Sequence, residues 1–445
     1  MKYVFRLICI AVATTFMFTA TAKAGLYEYG LGPRAVAMGQ AMTAAANDPS
    51  AATYNPAALI QARDHQGLGM NDPFIQLVSS GSSHELILNG VDQGAEYSPY
   101  VEVAFMMPVF KRVVVGGGLY ASNNVVAVIP IFYGPGISRW GPEHSYGLTT
   151  AFAIQITKNF SVGYAGTSRL AYNGSTLNLD IGPILYDVLG VELVESESNI
   201  NPAFELDITS EYGYKVGAHY RPFDWVSLGV LYRYRNTASL NIPLHVYTGD
   251  LMGEFDVVIS QIHGSGIVPT SITGGMAIYP IDGLTLAFDL SYQVYSKEND
   301  TVGMALLSDN PDFNTDYPNV DLEDVLVPRF GGEWKDKFKG RFERVEYAIR
   351  AGYQFFPSPY AQVNTEDNMS GVVDNDAHFF SGGFMLGYHP YRGSLGKGPS
   401  FVGVEYFYEY IHLVKRKHKS IESNPPVIVS EGNVIFSGIG LTMKF

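Results

Sequence analysis

Few side chains in this sequence could do chemistry, and most stand in stretches where apolar and polar residues alternate. Across 160–173, Val162, Tyr164, Leu170 and Tyr172 share one face, which turns Arg169 to the other. The same parity puts Lys215, Arg233, Arg235 and Arg350 on polar faces, together with Glu102, Asp289, Glu405 and Glu409. An enclosed arginine can hold a carboxylate through a charge-assisted pair, and Arg169 and Arg350 are the candidates. Because both signs share these faces, an ion-pair network bracing the interior is the competing reading.

Apolar side chains in polar surroundings form a second group. Ile129, Ile131, Phe132 and Tyr133 stand in one long connection, and Ile181, Ile184, Leu185, Tyr186, Val188 and Leu189 in another. Over Pro183–Val194 the apolar spacing is helix-like. An exposed apolar loop helix is costly unless it binds something, so Ile184, Leu185, Val188 and Leu189 are candidates for capturing a hydrophobic ligand; packing of loops on one another is the alternative. The acids of 298–324 (Glu298, Asp300, Asp309, Asp312, Asp316, Asp321, Glu323 and Asp324) lack regular metal-ligand spacing and read as solvated. They could also bridge divalent cations at a lipopolysaccharide surface. His219 and His389 form no placeable Ser/His/Asp set. Gly116–Gly118 opens no helix and is no phosphate loop. No cofactor is called for.

The elements that must position these groups have period two. Leu284, Leu286, Phe288, Leu290, Tyr292 and Val294 alternate with Thr285, Ala287, Asp289, Ser291 and Gln293, the pattern of a strand with one apolar face. At the C-terminus Ile435, Ile439, Leu441, Met443 and Phe445 oppose Gly438, Gly440, Thr442 and Lys444. About fourteen such segments occur: 66–78, 96–107, 112–127, 143–156, 160–173, 211–221, 224–240, 265–279, 283–297, 325–335, 343–356, 378–389, 400–413 and 432–445. Their connections alternate between short and long, the long ones covering 79–95, 128–142, 174–210, 241–264, 298–324, 357–377 and 414–431. Short turns on one side and long loops on the other are the signature of an all-β, antiparallel, 14-stranded transmembrane β-barrel over 66–445. In lipid every backbone N–H and C=O must be paired, so a sheet there has to close on itself. A soluble sandwich would not need apolar faces on every strand.

Composition agrees. The 445 residues are 47% hydrophobic and 16% charged, with 26 Phe and 30 Tyr, against roughly 25% charge in ordinary globular chains. No stretch after the leader is apolar for the ~20 residues a membrane helix needs. Disordered chains, nucleic-acid binders and helical membrane proteins are therefore disfavoured. Lys2 and Arg6 precede an apolar run from Leu7 to Ala22, and Ala22-Lys23-Ala24 is a small-x-small cleavage pattern, so 1–24 reads as a signal peptide. Its removal takes three cations and the lone cysteine, Cys9, and leaves a chain near −17 with no thiol chemistry. An exported, cysteine-free chain of this kind suits a Gram-negative outer membrane. Its final aromatic residue suits recognition of the last strand by the barrel-insertion machinery.

Residues 25–65 do not fit the barrel. They are Ala-rich, with short helical patches broken by Gly and Pro. A lumen of about fourteen strands would otherwise be a hole, so this segment is expected to fold inward as a hatch.

Leu31-Gly32, Ala35, Gly39, Ala44, Asp48-Pro49-Ser50 and Tyr54-Asn55-Pro56-Ala57 resemble the FadL-type outer-membrane transporters of long-chain fatty acids and other hydrophobic compounds. The resemblance continues over Gly118–Asn124, Arg350–Tyr353 and Phe380–Gly383. It implies that Asn55, Pro56 and Ala57 belong to the hatch. It also implies passive transport: capture by external loops, passage into a lumenal pocket, and exit sideways through a gap at a kinked third strand. Gly116, Gly117, Gly118, Ser122, Asn123 and Asn124 interrupt that strand here; a glycine cluster packed on the hatch is the alternative. A fatty-acid carboxylate would then meet Arg169 or Arg350. The expected partners are a hydrophobic small molecule, outer-membrane lipid and lipopolysaccharide around a monomer, and no nucleic acid. The 174–210 and 298–324 loops depart from the family pattern, which leaves fatty acid and aromatic hydrocarbon both open. A diffusion porin for polar solutes, or an outer-membrane lipid hydrolase or adhesin, are the alternative functions.

Overall fold

The computed structural model describes residues 30–63, 73–124, 128–129, 138–139, 143–173, 207–210, 212–236, 238–247, 254–262, 268–298, 303–308, 315–316, 322–360, 375–390, 399–419 and 427–445. The expected signal peptide and the apolar run 181–189 lie outside them. Fourteen antiparallel strands close into one barrel in chain order. The first seven are β1 (Phe74–Leu88), β2 (Val91–Phe110), β3 (Val113–Asn124), β4 (Glu143–Thr157), β5 (Phe160–Asn173), β6 (Tyr212–Phe223) and β7 (Val226–Arg233). The others are β8 (Thr270–Ile278), β9 (Leu284–Val294), β10 (Val325–Lys337), β11 (Val345–Phe356), β12 (Ala377–Tyr388), β13 (Phe401–Lys419) and β14 (Val427–Lys444). β1 pairs with β14 from Phe74–Lys444 to Leu88–Ser430, so the sheet has no free edge.

The barrel is inside-out relative to a soluble protein. Along β9, Thr285, Ala287, Asp289, Ser291 and Gln293 are buried, while Leu286, Leu290 and Tyr292 are exposed. On β14, Ile435 and Ile439 are exposed while Gly438, Gly440 and Thr442 are buried. Large apolar side chains facing outward on a closed ladder make a surface suited to lipid. At the short-turn end Phe110, Phe223, Trp225, Phe338, Phe342 and Tyr388 are exposed, and Phe223 stacks on Trp225 at 5.7 Å. Such an aromatic girdle marks a membrane–water boundary.

Three spans differ from expectation; one is 414–431, most of which is strand, since β13 runs to Lys419 and β14 begins at Val427. The span 79–95 is not a loop: β1 and β2 run on to a two-residue turn at Asn89 (φ 50°) and Gly90 (φ 80°). Positive φ at both central residues is what the tightest hairpin requires, and Asn-Gly is its strongest sequence signal. The span 224–240 is not one strand. β7 stops at Arg233, and the chain resumes in a separate five-stranded sheet built from Asp207–Ser210, Ala238–Tyr247, Glu254–Ile262, Gly303–Ser308 and Thr315–Asp316. The long connections at this end therefore pair with one another, and the ladder satisfies the backbone groups of segments such as Glu254–Ile262 and Gly303–Ser308 that are rich in apolar residues.

Leu290→Arg, which places a charge in the outward apolar band, should cost about 2–4 kcal/mol of barrel stability if it lies near the bilayer midplane. Denaturant unfolding in lipid vesicles, with Leu290→Ala as the control, measures it.

Candidate functional site

Residues 30–63 lie inside the barrel. A short helix, α1 (Pro33–Ala37), starts after Gly32, whose φ of 83° turns the chain in, with Pro33 in the first turn where its missing N–H costs nothing. Its contacts are with β11–β14. A second helix, α2 (Ala51–Tyr54), leads into a 3-10 helix (Pro56–Arg63) packed on β3–β6, across the lumen from α1. The segment can fit because its side chains are small: Ala35, Ala37, Ala41, Ala44, Ala51, Ala57 and Ala58 are all buried.

The wall is cut to match. Gly163 (β5), Gly217 (β6), Gly229 (β7), Gly331 (β10), Gly352 (β11) and Gly440 (β14) each meet the hatch so closely that a Cβ would fall within 2.4 Å of a hatch atom. At Gly352 that atom is the backbone nitrogen of Gly39, 2.0 Å away, which cannot move aside without moving the hatch. Gly39 (φ 58°) and Gln40 (φ 61°) make the left-handed turn that brings the chain there.

Wall side chains then pin the hatch backbone. Glu102 accepts from Gly32 N–H at 2.8 Å, and Asp289 from Thr43 N–H at 2.8 Å. Ser381 accepts from Gly39 N–H at 3.1 Å, Ser161 donates to the Ala57 carbonyl at 2.8 Å, and Lys215 to the Thr53 carbonyl at 3.1 Å. Asn55 joins both sides. Its amide donates to the carbonyls of Thr43 (2.8 Å) and Ala218 on β6 (3.1 Å), and its oxygen accepts from Ala57 N–H at 3.1 Å. That is the physical role of the Asn55-Pro56-Ala57 motif: one side chain caps the 3-10 helix and ties it to the wall.

The strongest tie is ionic. Arg34 forms a two-pronged pair with Glu333 (Nε and Nη2, both 3.0 Å) and reaches the Ala45 carbonyl, Asn47 and Asp48 through Nη1. Glu333 also accepts from Arg350 at 2.7 Å; Arg350 bonds Glu405 at 2.6 Å, and Glu405 accepts from Thr442 (2.7 Å) and Gln76 (3.3 Å). Burial works against the Arg34 charge, but Glu333 and Asp48 more than offset it and raise its pKa above the ordinary guanidinium value. On the short-turn side this network faces a small, partly open cavity, lined also by Lys335, Glu346, Met385, Phe401 and Lys444. The Lys444 ammonium lies over the rings of Phe74 (4.8 Å) and Phe401 (5.2 Å). The floor of the hatch is thus charged.

Above it, apolar clusters line part of the lumen, beside polar pairs such as Arg329–Gln354 (2.7 Å). The lumenal face of β13 reads, from the short-turn end, Phe401, Gly403, Glu405, Phe407, Glu409, Ile411 and Leu413. Phe407 belongs to a cluster with Val36, Ala37, Val78, Tyr100 and Phe436, against which Leu31 and Tyr120 pack. Ile411 and Leu413 belong to an outer cluster with Val327, Phe356, Phe379 and Val434. The inner cluster borders the β2–β3 seam. β2 and β3 pair through Gly116–Gly118 without a break and stop at Tyr100–Ser122. Past that point β2 continues against β1, while Asn123 and Asn124 pair with His144 and Glu143 of β4. Tyr100 pairs with Ser80, midway along β1, and a barrel strand crosses the hydrocarbon in ~9–11 residues. The β2–β3 ladder itself runs from Phe110–Val113 to Tyr100–Ser122, about one such crossing, so it ends toward the long-connection side, beside the inner cluster.

The candidates from the sequence separate accordingly. Arg350 sits in the ion-pair network below the hatch. Arg169 lies on β5 opposite Gly147, its side chain outside the described residues. Gly116 faces the hatch, where a Cβ would meet Leu59 at 3.0 Å, and the glycine triplet does not open the ladder. Ser122, Asn123 and Asn124 stand where β2–β3 pairing ends. Two of the acids expected to be solvated are engaged. Glu298 is buried and pairs with Arg235 at 3.5 Å, and Asp324 accepts from Ser296 N–H at 3.0 Å and from the Tyr292 hydroxyl. Among the described residues no cluster of His, Cys, Asp and Glu is placed to hold a metal. His219 is buried, and His389 lies 3.4 Å from Glu346. Sequence reasoning missed Arg34 and Glu333. Parity along β10 would have turned Glu333 inward with Val325 and Val327, but nothing local points to its partner 299 residues away.

Fold and site define a class: a closed transmembrane barrel with a plugged lumen. No protein family matches the sequence, and no curated protein matches it. Solved structures share its fold. A FadL homologue of Pseudomonas aeruginosa is 15% identical with a TM-score of 0.60, over 95% of this chain and 99% of that one. The toluene transporter TodX of Pseudomonas putida is 15% identical with a TM-score of 0.62, over 94% and 99%. The toluene transporter TbuX of Ralstonia pickettii is 15% identical with a TM-score of 0.53, over 94% and 99%.

Glu333→Gln removes the negative charge shared by two buried arginines and turns one of its acceptor oxygens into a donor facing them, a loss worth about 3–5 kcal/mol. Trypsin cleavage at Arg34 in the folded barrel should rise at least tenfold, since cutting tracks the population of released hatch. Gly352→Val should expel the hatch, read as a steady ion conductance in planar bilayers from a barrel that still shows its heat-shifted mobility.

Proposed function

We propose that this chain is a Gram-negative outer-membrane channel for passive uptake of long-chain fatty acids or similar hydrophobic compounds. The observation that carries the reading is the route above the hatch: an apolar outer cluster, an apolar inner cluster, and a β2–β3 ladder that ends beside the inner one. Below, the charged network and its cavity oppose passage of an apolar molecule, because desolvating those charges would go uncompensated. The way out is therefore sideways, past Ser122, Asn123 and Asn124. The plugged lumen argues against a diffusion porin. The solved structures of this fold described as toluene transporters agree with an apolar cargo.

Residues 25–65 form the hatch and 66–445 the barrel in this reading, after removal of 1–24. Ile184, Leu185, Val188 and Leu189 capture ligand outside, and Arg169 is the candidate contact for a carboxylate. Arg350 braces the hatch. The barrel acts as a monomer among outer-membrane lipid and lipopolysaccharide, inserted by machinery that reads its terminal Phe445.

Deleting residues 25–65 should abolish selective uptake of a radiolabelled hydrophobic compound while the barrel still inserts; retained uptake would overturn the role of the hatch. Cysteines replacing Pro99 and Asn123, joined by a bifunctional thiol reagent, should close the seam and stop uptake, with recovery on cleaving the linker. Uptake that persists through the closed seam excludes the lateral route.

A further inference from the structure

One buried group has no partner. Glu405 and Glu409 stand four residues apart on the same lumenal face of β13. Glu405 accepts hydrogen bonds from Arg350, Gln76 and Thr442. Glu409 is fully buried, 0% exposed, and neither carboxyl oxygen has a hydrogen-bond partner. Its flanking neighbours on that face are Phe407 and Ile411, and its opposite numbers across the ladders are Ser381 of β12 and Phe436 of β14. The Ser381 hydroxyl accepts from Gly39 N–H and makes no hydrogen bond to Glu409. Glu409 thus stands at the junction of the outer cluster, through Ile411, and the inner cluster, through Phe407 and Phe436.

A carboxyl enclosed in apolar surroundings without a donor is among the costliest arrangements a fold can hold. In the route proposed above, a ligand moving from the outer to the inner cluster crosses this junction. Ionised or not, a carboxyl accepts a hydrogen bond from a hydroxyl. A bare hydrocarbon leaves it unsatisfied, and an anionic head group loses far more hydration than a hydroxyl on entering such a site. We propose that Glu409 is the polar contact of the lumenal site and selects hydrophobic ligands that carry a hydroxyl group, a fatty alcohol or a phenol, over hydrocarbons and carboxylates of the same size. This refines the hydrophobic-channel reading and rests on it.

The test uses three probes with one ring system, 2-naphthol, naphthalene and 2-naphthoate, in equilibrium dialysis against the purified, folded protein in detergent, corrected for protein-free micelles. The expected result is binding of 2-naphthol about tenfold tighter than either of the others, the effect of one buried hydrogen bond to a carboxyl. Glu409→Leu should abolish that preference and leave naphthalene binding within about twofold. Glu409→Gln, which keeps an acceptor oxygen and nearly the same shape, should retain part of it. Heat-shifted gel mobility verifies that each variant is folded, and the ranking in the unaltered protein stands as a test without either variant. Equal binding of 2-naphthol and naphthalene, tightest binding of 2-naphthoate, or a preference that survives Glu409→Leu would overturn the assignment while leaving a hydrophobic channel intact. Failure of all three probes to bind would overturn the channel reading and the assignment together.

Discussion

Every backbone N–H and C=O within the hydrocarbon must find a partner in the protein, and the rest of the structure follows from that constraint. It forces the sheet to close, β1 onto β14, and closure turns the usual segregation of residues outward. Leucine, isoleucine and phenylalanine go to the lipid, and alanine, serine, glycine and acids to the lumen. A lumen lined this way is a polar hole, and a hole of fourteen strands would leak. The hatch of residues 30–63 answers that problem, and its fit dictates the glycines of the wall.

Filling a polar lumen creates a second problem, since hatch backbone groups and wall charges leave water together. The solution differs on the two sides. Toward the short turns, Arg34, Glu333, Arg350 and Glu405 share hydrogen bonds in a continuous relay from the hatch through β10, β11 and β13 to Thr442 on β14 and Gln76 on β1. Removing any one member strands another buried charge, so the relay acts as a latch. Toward the long connections the wall carries apolar clusters between polar pairs such as Arg329–Gln354 and Arg235–Glu298, and Glu409 on its face of β13 has no such partner. In the proposed route it is the ionic floor below and the apolar clusters above that turn an apolar molecule toward the β2–β3 seam. The fold by itself would not, since one barrel architecture serves many solutes.

Much of this was legible in the residues because alternation is a local property. The strand over Phe160–Asn173 could be placed to the residue, and the inward parity of Glu102, Asp289, Glu405 and Glu409 followed from the apolar neighbours alone. The Asn89-Gly90 hairpin was equally local, an Asn-Gly pair between Leu88 and Val91, but the small and polar residues farther out, Ser79–Glu85 and Asp92–Glu96, read as loop. The small-residue composition of 25–65 spoke against a spanning strand and for a plug. The accessory sheet was not legible, because its strands pair across long gaps in sequence, Ala238–Tyr247 with Asp207–Ser210 and with Glu254–Ile262.

What the sequence determined by itself is the barrel: strand number, order, inside and outside, and a segment left over to fill it. Those depend on period-two patterning, where each residue's direction is set by its immediate neighbours. Only the tertiary structure decided which role each inward group plays. Arg350 offered itself equally as a ligand contact and as a brace, and it is Glu333 and Glu405, brought beside it by strand register, that make it a brace. Glu405 and Glu409 are the same residue with the same parity, yet one is saturated and the other solitary. Charge and hydrogen-bond partners are chosen by strand register and by where the hatch lies, 17 residues away for Arg350 and Glu333 and 299 for Arg34 and Glu333, and no local pattern encodes that choice.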